Sequence, residues 1–207
     1  MYDVVIVGAG PAGLFTAYEL IEKNEKLKIL LLDKGKFAEN RVCPMNMNKT
    51  KCVNCNPCSI LSGYGGAGTF SDGKLNFIPK LGKSDLFKYM SISDAYSLID
   101  DTEAIFNKFE MDSKVYPTNM DEAKELEEKI ARVGANLLII KQKHLGSDML
   151  PTYIKNFSDY LKNKGVEIME STDVIDIKEV DSLYETVFMK GKTENKVSSK
   201  YVVVAPG

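Results

Sequence analysis

The chain has 207 residues, 44% of them hydrophobic and 27% charged, and a formal net charge of −2. That is the composition of a globular chain long enough for one large domain or for a domain carrying an insertion. The near-neutral charge gives no electrostatic basis for binding nucleic acid or an anionic membrane, and no apolar run approaches the length of a membrane-spanning helix.

In chain order, Tyr2-Asp3-Val4-Val5-Ile6-Val7 reads as a short buried strand. Only Met1 precedes it, so the sequence offers no leader peptide and a cytoplasmic location is the default expectation. The strand runs into Gly8-Ala9-Gly10-Pro11-Ala12-Gly13, and an amphipathic helix follows from Leu14 to Lys23. A second apolar strand, Leu27 to Leu32, ends in Asp33, 20 residues after Gly13. Strand, glycine turn, helix, strand and terminal acid in this order form the fingerprint of a dinucleotide-binding βαβ unit. Gly8 permits the tight turn, Gly10 lets a pyrophosphate approach the backbone, and Gly13 lets the helix pack closely on the strand. The helix N-terminus supplies N–H groups and a positive dipole end for phosphate, and Asp33 is placed to accept hydrogen bonds from a ribose. The competing reading is an ordinary βαβ unit whose turn binds nothing.

Residues 34–82 lack regular periodicity and are rich in Gly, Asn, Pro and Cys. A stretch of that length in a compact domain is usually functional or held by a ligand. From Ser84 the pattern becomes helical, with Ser84 and Ser93 as expected N-caps and apolar positions at Leu98, Ile99, Ile105, Phe106 and Phe109. Asp121 to Val133 reads as a charged, solvated helix closed by Gly134. Ala135 to Lys143, with Leu137-Leu138-Ile139-Ile140, reads as a strand. A helix capped by Ser147 or Asp148 is expected to run to Lys164 and stop at Gly165, with Pro151 tolerated in its first turn. From 166 onward the chain reads as β: Val166 to Met169, a hairpin of Asp173 to Val180 and Tyr184 to Lys190, a turn through Gly191, and a return along Val197 to Val204. Because a strand and a glycine turn normally stand mid-domain, Ala205-Pro206-Gly207 reads as the end of an N-terminal fragment of a longer protein.

The four cysteines, Cys43, Cys52, Cys55 and Cys58, have the spacing C-x8-C-x2-C-x2-C. Four thiolates so placed suit zinc or an iron–sulfur cluster. Reduced thiols stiffening a loop, or cysteines engaged in disulfide or redox exchange, are the alternatives. His144, the single histidine, reads as a loop residue and is not nominated for catalysis. Asp72 and Lys74 could touch a ligand or simply cap their loop.

Several of these segments resemble glutathione-reductase-type flavoproteins: the turn Gly8 to Gly13 with Asp33, the hairpin before the last strand, and Val202-Val203-Val204-Ala205-Pro206-Gly207. A second glycine-rich segment, Gly63-Tyr64-Gly65-Gly66-Ala67-Gly68-Thr69-Phe70-Ser71-Asp72-Gly73-Lys74-Leu75, narrows the likeness. With the cysteines and Leu145-Gly146-Ser147-Asp148, it resembles a bacterial family of FAD-dependent dehydrogenases or oxidoreductases. The resemblance implies an α/β fold: a Rossmann-like FAD/NAD(P)-binding domain with a three-stranded β-meander, formed by residues 1–83 and 146–207. A mainly helical insertion, residues 84–145, would belong to a substrate domain. It implies an FAD-dependent oxidoreductase of unassigned substrate, with NAD(P)H a candidate co-substrate. Gly8, Gly10, Pro11, Ala12 and Gly13 would face the pyrophosphate, with Asp33 and Lys34 at the adenosine ribose and Arg41 near the phosphates. Gly65, Gly66, Ala67, Gly68 and Ser71 would run along the cofactor, Val174 would meet the adenine, and Ala205 and Gly207 would close over it. Pro206 stands where this family usually has Thr and removes an N–H donor. The expected partner is a small-molecule substrate or an electron carrier, with no nucleic acid and no membrane. Two other classes remain open: an electron-transfer protein pairing flavin with an Fe–S cluster, and a noncatalytic NAD(P)-binding module.

Overall fold

The computed structural model describes residues 1–146 and 148–207. The chain divides into two compact units, Met1–Ser71 with Leu150–Gly207, and Asp72–Met149. No helix among the described residues is long and apolar enough to cross a membrane.

The first unit is mixed α/β, built on a sheet whose parallel core follows from its apolar strands. Strand β1 (Tyr2–Val7) lies between β2 (Ile29–Leu32) and β11 (Thr193–Val204), both parallel to it, and β8 (Glu167–Met169) adds to the far side of β2. All four residues of β2, Ile29 to Leu32, are buried, as expected for a strand covered on both faces. β9 (Thr172–Val180) and β10 (Leu183–Lys190) precede β11 as consecutive antiparallel partners, giving the order β8-β2-β1-β11-β10-β9. β11 therefore serves two neighbours, and Ser199 is in register with both Tyr2 of β1 and Tyr184 of β10.

Helix α1 (Pro11–Lys23) buries Leu14, Ala17, Tyr18 and Ile21, the i, i+3, i+4, i+7 stripe that faces a core. Phe157 on α5 (Leu150–Asn163) meets Phe15 edge-on at a centroid distance of 5.5 Å and Tyr18 at 5.8 Å. A separate cluster of Val5, Leu30, Leu32 and Phe188 takes Val174, Val197 and Val202 against it. The strands thus contribute alternate residues to two cores.

The sequence places the last strand's start at Val197, but pairing with β10 begins at Thr193. Its first residues are polar, so hydropathy hides them. At α5, Leu150 is the first helical residue; of the two expected caps, Ser147 lies outside the described residues and Asp148 stands two residues earlier, in a turn.

The second unit holds α3 (Ile92–Lys108), α4 (Met120–Ala131) and a small antiparallel sheet in which β7 (Gln142–His144) lies between β3 (Lys74–Asn76) and β6 (Val115–Tyr116). A two-stranded ladder joins β4 (Lys80–Leu81) to β5 (Ser84–Asp85). Because β3 pairs with β7 of this unit, the first division falls at Ser71/Asp72, and not near residue 83. Two sequence expectations, the cap of α3 and the extent of the strand before His144, are corrected here. Ser91 caps α3, its Oγ accepting the Asp94 N–H at 3.1 Å, whereas Ser93 lies inside the helix and Ser84 lies in β5. Asn119 caps α4, accepting the N–H groups of Asp121 and Glu122. Of the strand expected from Ala135 to Lys143, residues 135–141 are irregular, and the paired segment is Gln142–His144.

That shift has a physical cause. Lys143, at the centre of β7, is only 2% exposed. Its Nζ donates to Asn107 at 2.7 Å and Asp112 at 2.8 Å, and it pairs with Glu103 at 3.1 Å. Glu103 also pairs with Lys141. Every charge in the cluster has an opposite neighbour, the condition under which burial is tolerated. Burial pushes the Glu103 carboxyl upward, but hydrogen bonds from Lys141 and Lys143 outweigh it and hold the group below the usual carboxylate range. A depressed carboxylate contributes stability that is complete above the unfolded value, about 4.3 for Glu, and is lost as pH falls through the folded value. The melting temperature of the chain should therefore fall with pH through the acid range, and Glu103→Gln should be less stable near neutrality with a flatter acid limb. Parallel pH–melting curves for the two proteins measure this; identical slopes would remove the linkage.

Candidate functional site

Two glycine turns and the ends of three strands meet in the first unit. At the end of β1, Gly8 has φ +100°, and its N–H donates to the Leu32 carbonyl at 2.7 Å. A Cβ on Gly8 would sit 2.2 Å from the Ala205 carbonyl oxygen, and one on Gly13 would sit 1.9 Å from the Gly8 oxygen. The turn, the start of α1 and the end of β11 are packed backbone against backbone, a fit only glycine allows. Gly10 differs: a Cβ there would meet nothing within 4 Å. That open backbone lies beside the first N–H groups of α1, which have no carbonyl within the helix to donate to.

Asp33 closes the opposite side. Its two carboxylate oxygens take the Ala9 N–H at 2.8 Å and the Gly35 N–H at 2.7 Å. Its own backbone N–H donates to Met169 and its carbonyl accepts from Thr172, which joins the end of β2 to β8 and β9. The carboxylate is thus held in one orientation with lone pairs left for a further donor.

The second glycine segment docks on the first. Gly65 N–H donates to the Ala9 carbonyl at 2.8 Å, and Tyr64 N–H to Lys36 at 3.1 Å. Tyr64 is fully buried, its ring 4.7 Å from that of Phe37 and its hydroxyl donating to the Met169 carbonyl at 3.1 Å. Burial, with Asp33 and Glu170 nearby, pushes its phenol pKa well above the usual value.

Arg41 holds this segment together. The residue is 5% exposed, and its guanidinium donates to the carbonyls of Ser59 (2.9 Å), Ile60 (2.6 Å), Tyr64 (2.9 Å) and Gly66 (2.9 Å) and to Thr69 Oγ1 (3.2 Å). Phe70 covers its face at 4.7 Å. Burial lowers its pKa, and the charges of Asp33 and Cys58 act in the opposite direction. The expected approach of Arg41 to a phosphate is not what the geometry shows, because its donors are committed to protein carbonyls and it does not line the cavity.

These elements enclose a cavity of about 690 Å³, in the upper part of the usual range for ligand pockets, about 300–1,000 Å³. Of the residues singled out in the sequence, Gly8, Gly10, Pro11, Ala12, Asp33, Lys34, Gly66, Ala67, Val174, Ala205 and Gly207 line it. Gly13, Gly65, Gly68 and Ser71 do not. Sequence reading missed Thr172, Asp173 and the wall segment Leu61-Ser62-Gly63. A residue before an expected strand start, as Thr172 is, carries no periodic signal, and the wall's position depends on Arg41. Pro206, noted only for its missing donor, is also in the lining.

The four cysteines do not form a cluster in the structure. Among the described residues no three His, Cys, Asp or Glu side chains converge so as to hold a metal ion, and Cys43, Cys52, Cys55 and Cys58 are all free thiols. Separate hydrogen bonds anchor the two ends of this segment: the Cys43 carbonyl takes the Met47 N–H of α2 (Pro44–Asn48), and the Cys58 carbonyl takes those of Leu61 and Ser62. In the second unit, His144 Nε2 lies 2.9 Å from the Asp72 carbonyl oxygen, and Asp72 pairs with Lys74 at 2.8 Å. There the three residues bind one another.

No family model matches the chain. A 44-residue stretch is 50% identical to the mitochondrial L-2-hydroxyglutarate dehydrogenase of Dictyostelium discoideum, covering 21% of this chain and 9% of that protein. A 42-residue stretch is 48% identical to an uncharacterized protein of Methanosarcina barkeri, covering 20% and 10%. Among solved structures, glycine oxidase from Geobacillus kaustophilus aligns over 100% of this chain and 55% of its own, with TM-score 0.57 and 18% identity. L-amino acid deaminase from Proteus vulgaris aligns over 100% and 47%, with TM-score 0.54 and 16% identity. The chain spans about half the length of these two structures. At such identities the likeness is one of fold.

Two outcomes test the packing. Arg41→Ala strands several carbonyls in a buried setting and should cost about 3 kcal/mol in chemical denaturation, with new protease cuts in residues 59–70. Gly13→Ala should cost about 1–3 kcal/mol through forced backbone displacement. Wild-type stability in both variants would contradict the geometry.

Proposed function

We infer that the chain is the nucleotide-binding part of an FAD-dependent oxidoreductase, with a Rossmann-like first unit and a second unit that belongs to a substrate domain. The observation that carries this reading is the single cavity in which the Gly8–Gly13 turn, Asp33, Val174 and Ala205–Gly207 come together. The fold shared with an oxidase and a deaminase supports it, as does the short match to a dehydrogenase.

The donor set suits the ADP half of FAD. The open backbone at Gly10 and the N-terminus of α1 would hold the pyrophosphate through N–H groups and the helix dipole. Asp33, oriented by Ala9 and Gly35, would accept from the adenosine ribose, with Lys34 beside it. Val174 would border the adenine, and Gly66 and Ala67 would continue the wall toward the flavin. When bound, FAD supplies hydride or electron chemistry. The chain's own residues bind it, fix its orientation and cover its phosphates. The substrate is a small molecule or an electron carrier, and NAD(P)H is a candidate co-substrate.

Gly10→Val tests this reading because it separates binding from folding. Its Cβ meets no protein atom and its φ of −69° suits any residue, so far-UV circular dichroism and melting temperature should stay at wild-type values. The branched side chain would occupy the pyrophosphate position, so FAD affinity, read by quenching of flavin fluorescence, should weaken by about tenfold or more, roughly 1.4 kcal/mol. Unchanged FAD binding in a folded variant would overturn the assignment. Tighter binding of NAD than of FAD to the wild type would favour a module for that nucleotide instead.

A further inference from the structure

The second unit contains a cavity of its own, of about 350 Å³, at the lower end of the usual range for small-ligand pockets, about 300–1,000 Å³. Ile78, Pro79 and Leu138 give it an apolar wall. Phe87 and Tyr96 give it an aromatic one, with ring centroids 6.4 Å apart. Among the described residues, Lys80 is the one charged group in the lining. Tyr96 and Leu138 are both exposed, so the cavity is reached from solvent.

One carboxylate organises this wall. Asp85, at the end of β5, does not itself line the cavity. One of its oxygens accepts the Phe87 N–H at 3.1 Å, and the other pairs with Lys80 Nζ at 3.0 Å. The Asp85 side chain is only 12% exposed, so water competes poorly for either bond. The Leu86 N–H donates to the Pro79 carbonyl at 3.0 Å, which ties the turn carrying Phe87 to the start of β4. A shared partner thus sets the cation and the aromatic ring against the same cavity. An ammonium has three N–H donors. Asp85 takes one, and the remainder suit a single carboxylate. A phosphate dianion would find no second cation in the lining among the described residues.

We propose that this cavity binds a small organic acid, a monocarboxylate carrying an aromatic or branched apolar body. The body packs against Phe87, Tyr96 and Leu138, and the carboxylate accepts from Lys80 Nζ. No residue of this lining belongs to the lining of the nucleotide cavity, and occupancy does not depend on FAD.

The probes are 3-phenylpropionate and its uncharged amide, 3-phenylpropionamide, titrated into the isotope-labelled full chain and followed by amide NMR shifts. The expected result is saturable shifts around residues 78–82, 87, 96 and 138. The carboxylate should bind about tenfold more tightly than the amide, the usual worth of a hydrogen bond to a charged group. Lys80→Gln should erase that preference, and Tyr96→Ala should weaken both probes alike. Circular dichroism of each variant checks that the fold persists. No saturable shift at these residues in the wild type, equal affinity for acid and amide, an unchanged preference in Lys80→Gln, or full affinity in Tyr96→Ala would each overturn the proposal. The acid–amide comparison needs only the wild type, so it decides the matter even where a variant does not fold. Gly10→Val should bind phenylpropionate as the wild type does, which keeps this result distinct from that of the FAD test.

Discussion

One buried cation sets the shape of the cavity. Residues 59–70 have no sheet to join, and their carbonyls would be left in a poorly solvated interior without the Arg41 guanidinium. A lysine could not replace it, because a single ammonium cannot span carbonyls arrayed from Ser59 to Gly66. Burying a guanidinium carries a desolvation cost, visible in its lowered pKa. Five acceptors and the Phe70 face offset that cost, and they turn an irregular stretch into a fixed wall. Once that wall is fixed, Gly65 can dock on Ala9, and the second glycine segment stands against the first.

The same economy of backbone groups runs through the site. Asp33 restrains the Ala9 and Gly35 N–H groups and still faces the cavity, so the carboxylate that organises the turn is also offered to a ligand. Gly8 and Gly13 are consumed by packing, while Gly10 is left open. Within one motif, the glycines that support the turn and the glycine left open beside the cavity are different residues. Their roles can therefore be separated by mutation.

Local sequence pattern located β1, α1 and β2 because each is strongly apolar or periodic and each is bounded by glycine or acid. The residues around the cavity's first turn were legible for the same reason. Where the structure departs from that reading, the cause is a polar group doing an apolar group's work. The strand expected over Ala135–Lys143 pairs only at its end, as Gln142–His144, where the buried centre is Lys143, a residue no hydropathy scale places inside. The ion pairs that make its burial possible come from α3 and from Asp112, segments remote in sequence. Arg41 was expected near the phosphates only through the family resemblance. Its partners are main-chain carbonyls, which leave no mark in a sequence. The cysteine spacing left a metal site, reduced thiols and redox exchange open, because spacing alone does not fix where four thiols lie relative to one another.

The position of β1 at the middle of the sheet constrains how the protein is made. Its neighbour on one side, β2, follows within a short stretch of chain, but on the other side Tyr2 is in register with Ser199. At ribosomal speeds of roughly 5–20 residues per second, the apolar edge of the nascent β1–β2 pair waits on the order of 10–40 s for β11 to be synthesised. During that interval, residues such as Val5 and Ile6 are exposed to other chains, and slow long-range pairing of this kind is where aggregation competes with folding. The open edge of β1 is therefore the surface that a chaperone acting during translation would have to cover until β11 arrives.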